Sequence, residues 1–561
     1  LNILFIMYDQ LRFDYLSCAG HAHLQTPNFD RVAAMGVRFN RAYVQSPICG
    51  ASRMSFYTGR YVSSHGAEWN NFPLRVGEIT LGDHLRQLGV DTWLLGKTHM
   101  KADAKGMARL GLSPDSIIGA RQAECGFDVW VRDDGLWAQG PDGFYDSKRS
   151  PYNEYLKAQG YDGDNPWADY ANAGIDEAGN IASGWFFKNA DKPANIREQD
   201  SETTWLTSET MRFVDQAQSS WLAHVSYIKP HWPYIVPAPY HDMFGSGDIL
   251  PARRHQSERE DPHPVYDAFM RSKIGQAFSQ ERVRKKVIPA YMGLVKQADD
   301  QLGRLLNHLE KSGKIKDTMI VLTSDHGDYL GDHWLGEKSF FHEPSVKVPL
   351  IIYDPRHQAD ATRGITCDAL VESIDLAATF VETAGGDVPE HILEGRSLLP
   401  WLHNNQPKDW RQFVISEYNY SASSACQMLK VSNDDARLFM LYDGRFKLIH
   451  AEGKFRPMLF DTANDPDEFY DIGGHAAHRK TIARLYEMLG HWSRRNAQRV
   501  TRSDSDIAAM RESSSRQGVL NFLFDSDEVP SVLTEKYRGP VRQRYVNPTP
   551  KNLDKPNTEH S

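Results

Sequence analysis

Two strand-like runs end on residues that bind cations. The apolar run Asn2–Tyr8 (NILFIMY) is followed by Asp9-Gln10, and the run 318–323 (TMIVLT) by Ser324-Asp325-His326-Gly327. In open parallel sheets ligands bind beyond the carboxyl ends of the strands, and carboxylates combined with an imidazole suit a divalent cation. Either pair alone says little, since an Asp after a strand commonly makes a turn or caps a helix. A third group of interest is Cys49. It precedes a short expected helix whose N-terminus favours anions. Arg53, four residues on, lies one turn away and can face back toward it. A lone cysteine is otherwise a small buried hydrophobe.

The elements that must position these groups are legible. Asn2–Tyr8 is apolar throughout, as a strand buried on both faces of a parallel sheet would be. Thr26-Pro27 opens a helix, with proline at its first position, that runs to Gly36. Strands at 37–44, 91–96, 221–228, 318–323 and 348–353 alternate with helices at 81–88 and 284–314. In the second helix Ile288, Tyr291, Met292, Val295, Leu302, Leu305, Leu306 and Leu309 keep helical spacing. This alternation predicts an α/β fold with a large, mostly parallel sheet. From about residue 413, short β-like runs (413–417, 439–442, 446–450) separated by turns such as Asp443-Gly444 predict a small antiparallel sheet, with a helix over 479–496. The stretch 101–220 has little periodicity and is expected to form insertions and long loops over the sheet edge. The domains expected are therefore 1–405 (catalytic α/β), 406–525 (α+β) and 526–561. The last is an extended tail, rich in proline and charge, that would serve as an arm in a homodimer or homotetramer.

The chain has 561 residues, 40% hydrophobic and 24% charged, a globular profile. Its net charge of −9 argues against nucleic acid or an anionic membrane as partner. A small anionic substrate held by a local basic cluster remains compatible with it. No apolar run approaches the roughly 20 residues that span a bilayer, and no signal peptide is visible. The five cysteines (Cys18, Cys49, Cys125, Cys367, Cys426) are scattered and odd in number, without metal-finger spacing. A reducing, cytoplasmic compartment is the expectation.

One stretch carries a family resemblance. In 46–60 (SPICGASRMSFYTGR), Cys49-Gly50-Ala51-Ser52-Arg53 resembles the C-x-[P/A]-x-R site at which sulfatases convert cysteine to formylglycine, and Thr58-Gly59-Arg60 resembles the T-G-R that follows it. Met458-Leu459-Phe460-Asp461 with Asp465-Pro466 is similar to the family's L-Y-D-L-x-x-D-P segment. The chain thus resembles the sulfatase branch of the alkaline phosphatase superfamily over nearly its whole length. That resemblance implies a large α/β sandwich with a smaller C-terminal α+β subdomain, and a sulfuric ester hydrolase using formylglycine and one divalent metal. It implies Asp9, Gln10, Asp325, His326 and the modified Cys49 as metal ligands. Lys97 and His99 sit in Gly96-Lys97-Thr98-His99, like G-K-x-H. His231 sits in Lys229-Pro230-His231-Trp232-Pro233, like K-P-H-x-P, and Lys338 follows Gly336-Glu337. With Arg53 these are the implied catalytic groups, while Asn70, Lys97, His231 and Lys338 would contact substrate. Hydrated formylglycine would attack sulfur or phosphorus. Lys97 and Lys338 would stabilise the non-bridging oxygens, His231 would protonate the leaving oxygen and His99 would act as base in its release. Trp69 and Trp232 are expected nearby, suited to an aryl or alkyl group or a cation. A formylglycine-generating enzyme is the implied maturation partner.

Three departures refine this. Asp9-Gln10 stands where many sulfatases have Asp-Asp, Asp325-His326 where many have Asp-Asn, and Ala51 where proline is usual. The Gln and His resemble phosphonate monoester hydrolases, whereas Lys97 and His99 keep the sulfatase pair. The expectation is a sulfatase with side activity on phosphonate monoesters and phosphodiesters. A phosphonate monoester hydrolase or phosphodiesterase is the main alternative. A binding protein that merely kept the fold is disfavoured by the joint presence of Cys49, Arg53, Lys97, His99, His231, Asp325 and Lys338. The imidazole favours Mn²⁺ over Ca²⁺.

Overall fold

Side chains of strand β1 (Asn2–Tyr8) alternate between two cores: Ile3, Phe5 and Met7 enter one, Leu4, Ile6 and Tyr8 the other. Both faces of the sheet are covered, which is why the run is apolar throughout. A computed structural model describes residues 1–114, 116–135, 150–495, 500–513 and 524–528. The further strands are β2 (Val37–Tyr43), β3 (Asp91–Gly96), β4 (Asp128–Arg132), β5 (Ala173–Ile175), β6 (Ile181–Ser183), β7 (Trp221–Tyr227), β8 (Thr318–Ser324), β9 (Leu350–Tyr353), β10 (Ile365–Glu372), β11 (Val414–Asn419), β12 (Arg437–Tyr442), β13 (Phe446–Ala451) and β14 (Met458–Asp461). Eight strands form the large sheet in the order β10-β2-β9-β8-β1-β7-β3-β4. β9 runs antiparallel to both neighbours and the other pairs are parallel. The expected mixed, mostly parallel sheet is present.

The long helix Glu281–Lys311 buries Ile288, Tyr291, Met292, Val295, Leu302, Leu305, Leu306 and Leu309 against one face of this sheet. Strands β11 to β14 form a separate four-stranded antiparallel sheet. On β12, Leu438, Met440 and Tyr442 join the main core, while Phe439 and Leu441 meet Leu485, Leu489 and Trp492 of helix Arg479–Arg495. That is the period-two alternation of a strand covered on both sides. Residues 1–498 form one compact unit containing both sheets. In the second unit, 499–561, the described residues form helix Asp504–Ser513 and a short turn Ser526–Glu528. Of the tail expected at 526–561, residues 529–561 lie outside the described residues. Among the described residues no helix is long and apolar enough to cross a membrane, and the five cysteines are free.

Part of the stretch read as loops is regular. β4 closes one edge of the large sheet, β5 and β6 form a hairpin, and Glu202–Gln216 is a 15-residue helix. Its buried Thr207 and Thr210 hydroxyls donate to the carbonyls of Thr203 and Leu206. Satisfied in this way, threonine fills core positions and blurs the apolar pattern.

Register decides where the chemistry falls. Tyr8 pairs with Ser324 on one side and Tyr227 on the other, and Gly96 pairs with Ser226. Asp9 and Asp325 therefore emerge level with one another. Gly96 has φ +104°, and a Cβ there would meet the Ser226 carbonyl oxygen at 2.2 Å, so only glycine lets β3 turn toward Lys97. Gly96→Ala is expected to lower stability by about 2 kcal/mol or more. Gly313→Ala, at φ +74° with nothing within 4 Å, is expected to lose only about 1 kcal/mol. Urea unfolding compares the two, and equal losses would contradict the close approach at Ser226.

Candidate active site

Four adjacent strands bring their C-terminal residues to one edge of the sheet: β8 carries Asp325 and His326, β1 Asp9 and Gln10, β7 leads to His231, and β3 to Lys97 and His99. Helix Cys49–Thr58, buried along its whole length, begins at the same place. Cys49 Sγ lies 3.0 Å from His326 Nε2, 2.9 Å from Lys338 Nζ and 3.8 Å from Asp9 Oδ1. The helix ends at Gly59, φ +66°, and Arg60 pairs with Glu78. Thr58-Gly59-Arg60 is thus a helix stop and an anchor rather than part of the site.

Arg53 is completely buried. Its Nε donates to Asp325 Oδ2 at 2.8 Å and its Nη2 to Asp9 Oδ2 at 3.2 Å. Nη1 donates to the Lys97 carbonyl at 3.0 Å and Ser226 Oγ at 2.7 Å. The guanidinium therefore faces the two strand-end carboxylates and joins them. Lys97 Nζ donates to Asp9 Oδ2 at 2.5 Å. Burial and Cys49 would raise the Asp9 carboxyl, but Lys97, His231 and Arg53 outweigh them and hold it below the usual carboxylate range. Burial would raise the Cys49 thiol as well, and Lys338, His326 and Lys97 outweigh it, so the thiolate is favoured.

These groups fit a divalent cation. Ligand atoms of Asp9, Cys49, Asp325 and His326 all lie within 4.8 Å of one another. His326 Nδ1 is 2.8 Å from the Gly327 carbonyl. A carbonyl only accepts, so Nδ1 carries the proton and the Nε2 lone pair faces the cluster when the ring is neutral, as metal-binding histidines are arranged. Gln10 Oε1 accepts from Lys338 Nζ at 3.4 Å and faces the same groups.

His231 follows the same logic. Its Nδ1 donates to the Trp232 carbonyl at 2.8 Å, and its Nε2 accepts from Lys338 Nζ at 3.2 Å. Burial, with Lys338 and Lys97 nearby, pushes it down to about 3 despite Asp9. His99 has a left-handed backbone, φ 56°, held by its N–H to Asp134 Oδ1 at 2.8 Å, and its Nδ1 has no hydrogen-bond partner among the described residues. Asn70 Oδ1 accepts from the Gly50 N–H at 2.8 Å, so its resolved contact is a cap on the helix that carries Cys49. The Trp232 ring lies 4.1 Å from that of His231, and Trp185 5.2 Å from Trp232. Trp69 stacks on Tyr418 at 5.6 Å. Sequence reasoning missed Asp328 and Tyr234, which hold the Gln10 side chain. Their only signal was proximity to Asp325 and His231 along the chain.

A second cluster, Glu258, His333 and His342, also gathers ligand-type atoms. Its imidazoles are stacked at 3.9 Å and 7°. Nearly parallel ring planes share no point where one ion meets both lone pairs, so this is a packing pillar, pinned by His333 Nδ1 to Glu258 Oε1 at 2.7 Å.

Fold and site agree with one family. The sulfatase family model matches residues 1–386, and the model for the C-terminal part of N-sulphoglucosamine sulphohydrolase matches 331–495. The chain belongs to the sulfatase family. Among its relatives, a multifunctional alkaline phosphatase superfamily protein, PehA, of Trinickia caryophylli is 28% identical over 533 residues, covering 89% of this chain and 96% of the relative. An arylsulfatase of Clostridium perfringens is 26% identical over 501 residues, covering 87% and 93%. Among solved structures, the phosphonate monoester hydrolase SpPMH from Silicibacter pomeroyi superposes with a TM-score of 0.75 at 28% identity, covering 89% of this chain and 96% of that one.

Arg53→Met removes the cation between two buried carboxylates. The metal-free protein is expected to lose about 3–5 kcal/mol, and added Mn²⁺ is expected to restore part of it. Urea unfolding with and without chelator measures both, and a variant as stable as the parent would refute the clamp.

Proposed function

We propose that this chain hydrolyses sulfate monoesters with a formylglycine made from Cys49 and one divalent ion, and that it also turns over phosphonate monoesters and phosphodiesters. The observation that carries this reading is the position of Cys49: first residue of a buried helix, within 3.0 Å of both His326 Nε2 and Lys338 Nζ. Asp9, Gln10, Asp325, His326 and the group at 49 would hold the ion, which supplies Lewis-acid charge when bound. Formylglycine, as its hydrate, supplies two hydroxyls on one carbon, one to attack and one to drive release.

The chain's own residues do the rest. Lys97 and Lys338 present ammonium groups to the non-bridging oxygens as charge builds there. Arg53 keeps Asp9 and Asp325 in register. An anion set among these groups favours the protonated imidazole of His231. That imidazolium, charged by a proton taken up from solvent, passes its Nε2 proton to the leaving oxygen, while Lys338 keeps its ammonium charge. His99, with Nδ1 unpartnered among the described residues, is the candidate base. The Trp232 and Trp185 rings beside His231 are suited to an aryl or alkyl leaving group. Because Cys49 is 1% exposed, its oxidation by a formylglycine-generating enzyme has to precede folding.

Charge explains the breadth. Gln10 is neutral where many sulfatases carry a second aspartate, so the site carries less negative charge than a three-carboxylate cage, while His326 exchanges a neutral amide oxygen for a nitrogen. Sulfate monoesters, phosphonate monoesters and phosphodiesters are all tetrahedral monoanions. Gln10 and His326, with the likeness to SpPMH, support a second reading in which phosphonate monoesters are preferred. Ranking kcat/KM for an aryl sulfate, a phosphonate monoester, a phosphodiester and a phosphate monoester decides between the two. The sulfate is expected first and the dianionic phosphate monoester last; a phosphonate in first place selects the second reading. Cys49→Ala is expected to lower kcat by roughly 10³-fold or more, and chelation to abolish turnover reversibly. Intact-mass measurement is expected to find residue 49 lighter than cysteine by the difference between a thiol and an aldehyde. Full turnover by the Ala variant refutes the mechanism.

A further inference from the structure

The two ends of the Gln10 carboxamide meet different surroundings. Nε2 donates to Asp328 Oδ2 at 2.5 Å and to Tyr234 OH at 3.0 Å, while Oε1 accepts from Lys338 Nζ at 3.4 Å. Asp328 is fully buried and surrounded by donors: the Tyr234 hydroxyl reaches Oδ2 at 2.6 Å and the Leu330 N–H reaches Oδ1 at 2.9 Å. An ionised carboxylate only accepts, so it takes the amino end of Gln10 and rejects the carbonyl end. The Tyr234 hydroxyl donates to Asp328 and accepts from Gln10, so both of its roles are used. The Gln10 backbone is fixed as well. It has φ 67°, its N–H donates to Asp325 Oδ1 at 3.1 Å, and its carbonyl accepts from Tyr291 OH at 2.7 Å.

We propose that Asp328 and Tyr234 are positioning residues that lock Gln10 with its carbonyl oxygen toward the ion site, and that Asp328 is the reason position 10 is an amide. The proposal rests on the reading that Asp9, Asp325, His326 and residue 49 hold a divalent ion. A carboxylate at position 10 would face the Asp328 carboxylate across a hydrogen-bond distance with no proton between them. An amide satisfies both sides at once: it donates to Asp328 and offers an oxygen to the ion. Nothing in the ion site itself demands a neutral ligand there; the demand comes from the residue behind it.

The test is Mn²⁺ affinity of the dialysed full-length protein by titration calorimetry, with circular dichroism as the check on folding. Asp328→Asn puts an amino group where an acceptor stood, so Gln10 turns over and presents its own amino end to the ion. Affinity is expected to fall about 10- to 100-fold. Tyr234→Phe is expected to fall in the same direction, by about tenfold. The double variant Asp328→Asn/Gln10→Glu reverses the donor and acceptor and again offers an oxygen. It is expected to return to within about threefold of the parent, a recovery specific to reversed polarity. Gln10→Glu alone is expected to bind no better than the double variant. If Asp328→Asn fails to fold, recovery of folding and Mn²⁺ binding in the double variant supports the proposal, and failure to recover overturns it. The proposal is also overturned if Asp328→Asn binds like the parent, if the double variant gains nothing over it, or if Gln10→Glu alone exceeds the double. A parent protein that takes up no divalent ion overturns the metal-site reading as well. A parent that binds Mn²⁺ with indifferent variants overturns the lock alone.

Discussion

Two carboxylates at the ends of adjacent parallel strands repel one another, and burial makes the repulsion severe. Asp9 and Asp325 are both inaccessible, and the β1–β8 register sets them level. Arg53 sits between them, and its remaining donors reach the Lys97 carbonyl and Ser226. One guanidinium therefore ties together the ends of β8, β1, β7 and β3. It also ties all four to the helix that begins with Cys49, one turn before Arg53. A lysine in its place would offer a point charge without the planar fork that meets several acceptors in fixed directions. A buried ion pair is weak evidence for net stability. Here its consequence is geometric, since it sets the distance between the candidate nucleophile and the strand-end carboxylates.

The smaller sheet holds the site from the other side. Glu417 on β11 accepts from the Ser63 N–H at 3.1 Å, and burial pushes its carboxyl up to about 8. Asn419 donates to Glu68 at 2.5 Å, and Tyr418 stacks on Trp69. These contacts fix the loop that ends at Asn70, the cap on Gly50. From β13, Lys447 reaches the Phe341 carbonyl at 3.0 Å and Glu343 at 2.9 Å, holding the segment that follows Lys338. The loop at Asn70 is thus held by contacts 351 and 354 positions apart along the chain, and the segment after Lys338 by contacts 104 and 106 positions apart. The compact unit 1–498 reflects that dependence: the C-terminal sheet is part of the frame of the site.

Much of this was legible because strands covered on both faces cannot hide. β1, β3, β7 and β8 were readable as apolar runs, and the residues just past two of them as candidate ligands. The edge strands of the large sheet were not. β10 exposes Ile365 and carries Asp368 within a bulge between Cys367 and Leu370, so its pattern is broken. The helix Glu202–Gln216 hid behind buried threonines. Arg53 was expected to turn toward the nucleophile, yet spacing along a helix fixes only the direction in which a side chain leaves. Its destination depends on carboxylates 44 and 272 positions distant. Asn70 was read as a substrate contact, and its resolved partner is the helix end. Asp328 and Tyr234 had no periodic signature, since their importance lies in which end of an amide they meet.

Strand ends deliver side chains to one edge but not to one point, and the backbone makes up the difference. Gln10, His99, Glu337 and Ser339 all have positive φ, although none is glycine, and all flank groups of the site. Such conformations cost roughly 1–3 kcal/mol each and persist only where the surroundings over-determine them. At three of these positions a hydrogen bond fixes the strained residue: Gln10 N–H to Asp325, His99 N–H to Asp134, and the Glu337 carbonyl accepting from Tyr329 at 2.6 Å. Gln10 is tied through Asp325 to the network that Arg53 organises, whereas His99 is held by Asp134, which pairs with Arg132, and Glu337 by the Tyr329 backbone. Loosening the Arg53 network would release Gln10, through Asp325, and the turn beside Lys97, through its carbonyl, so the aim of these groups and the integrity of the charge clamp are one property of the fold.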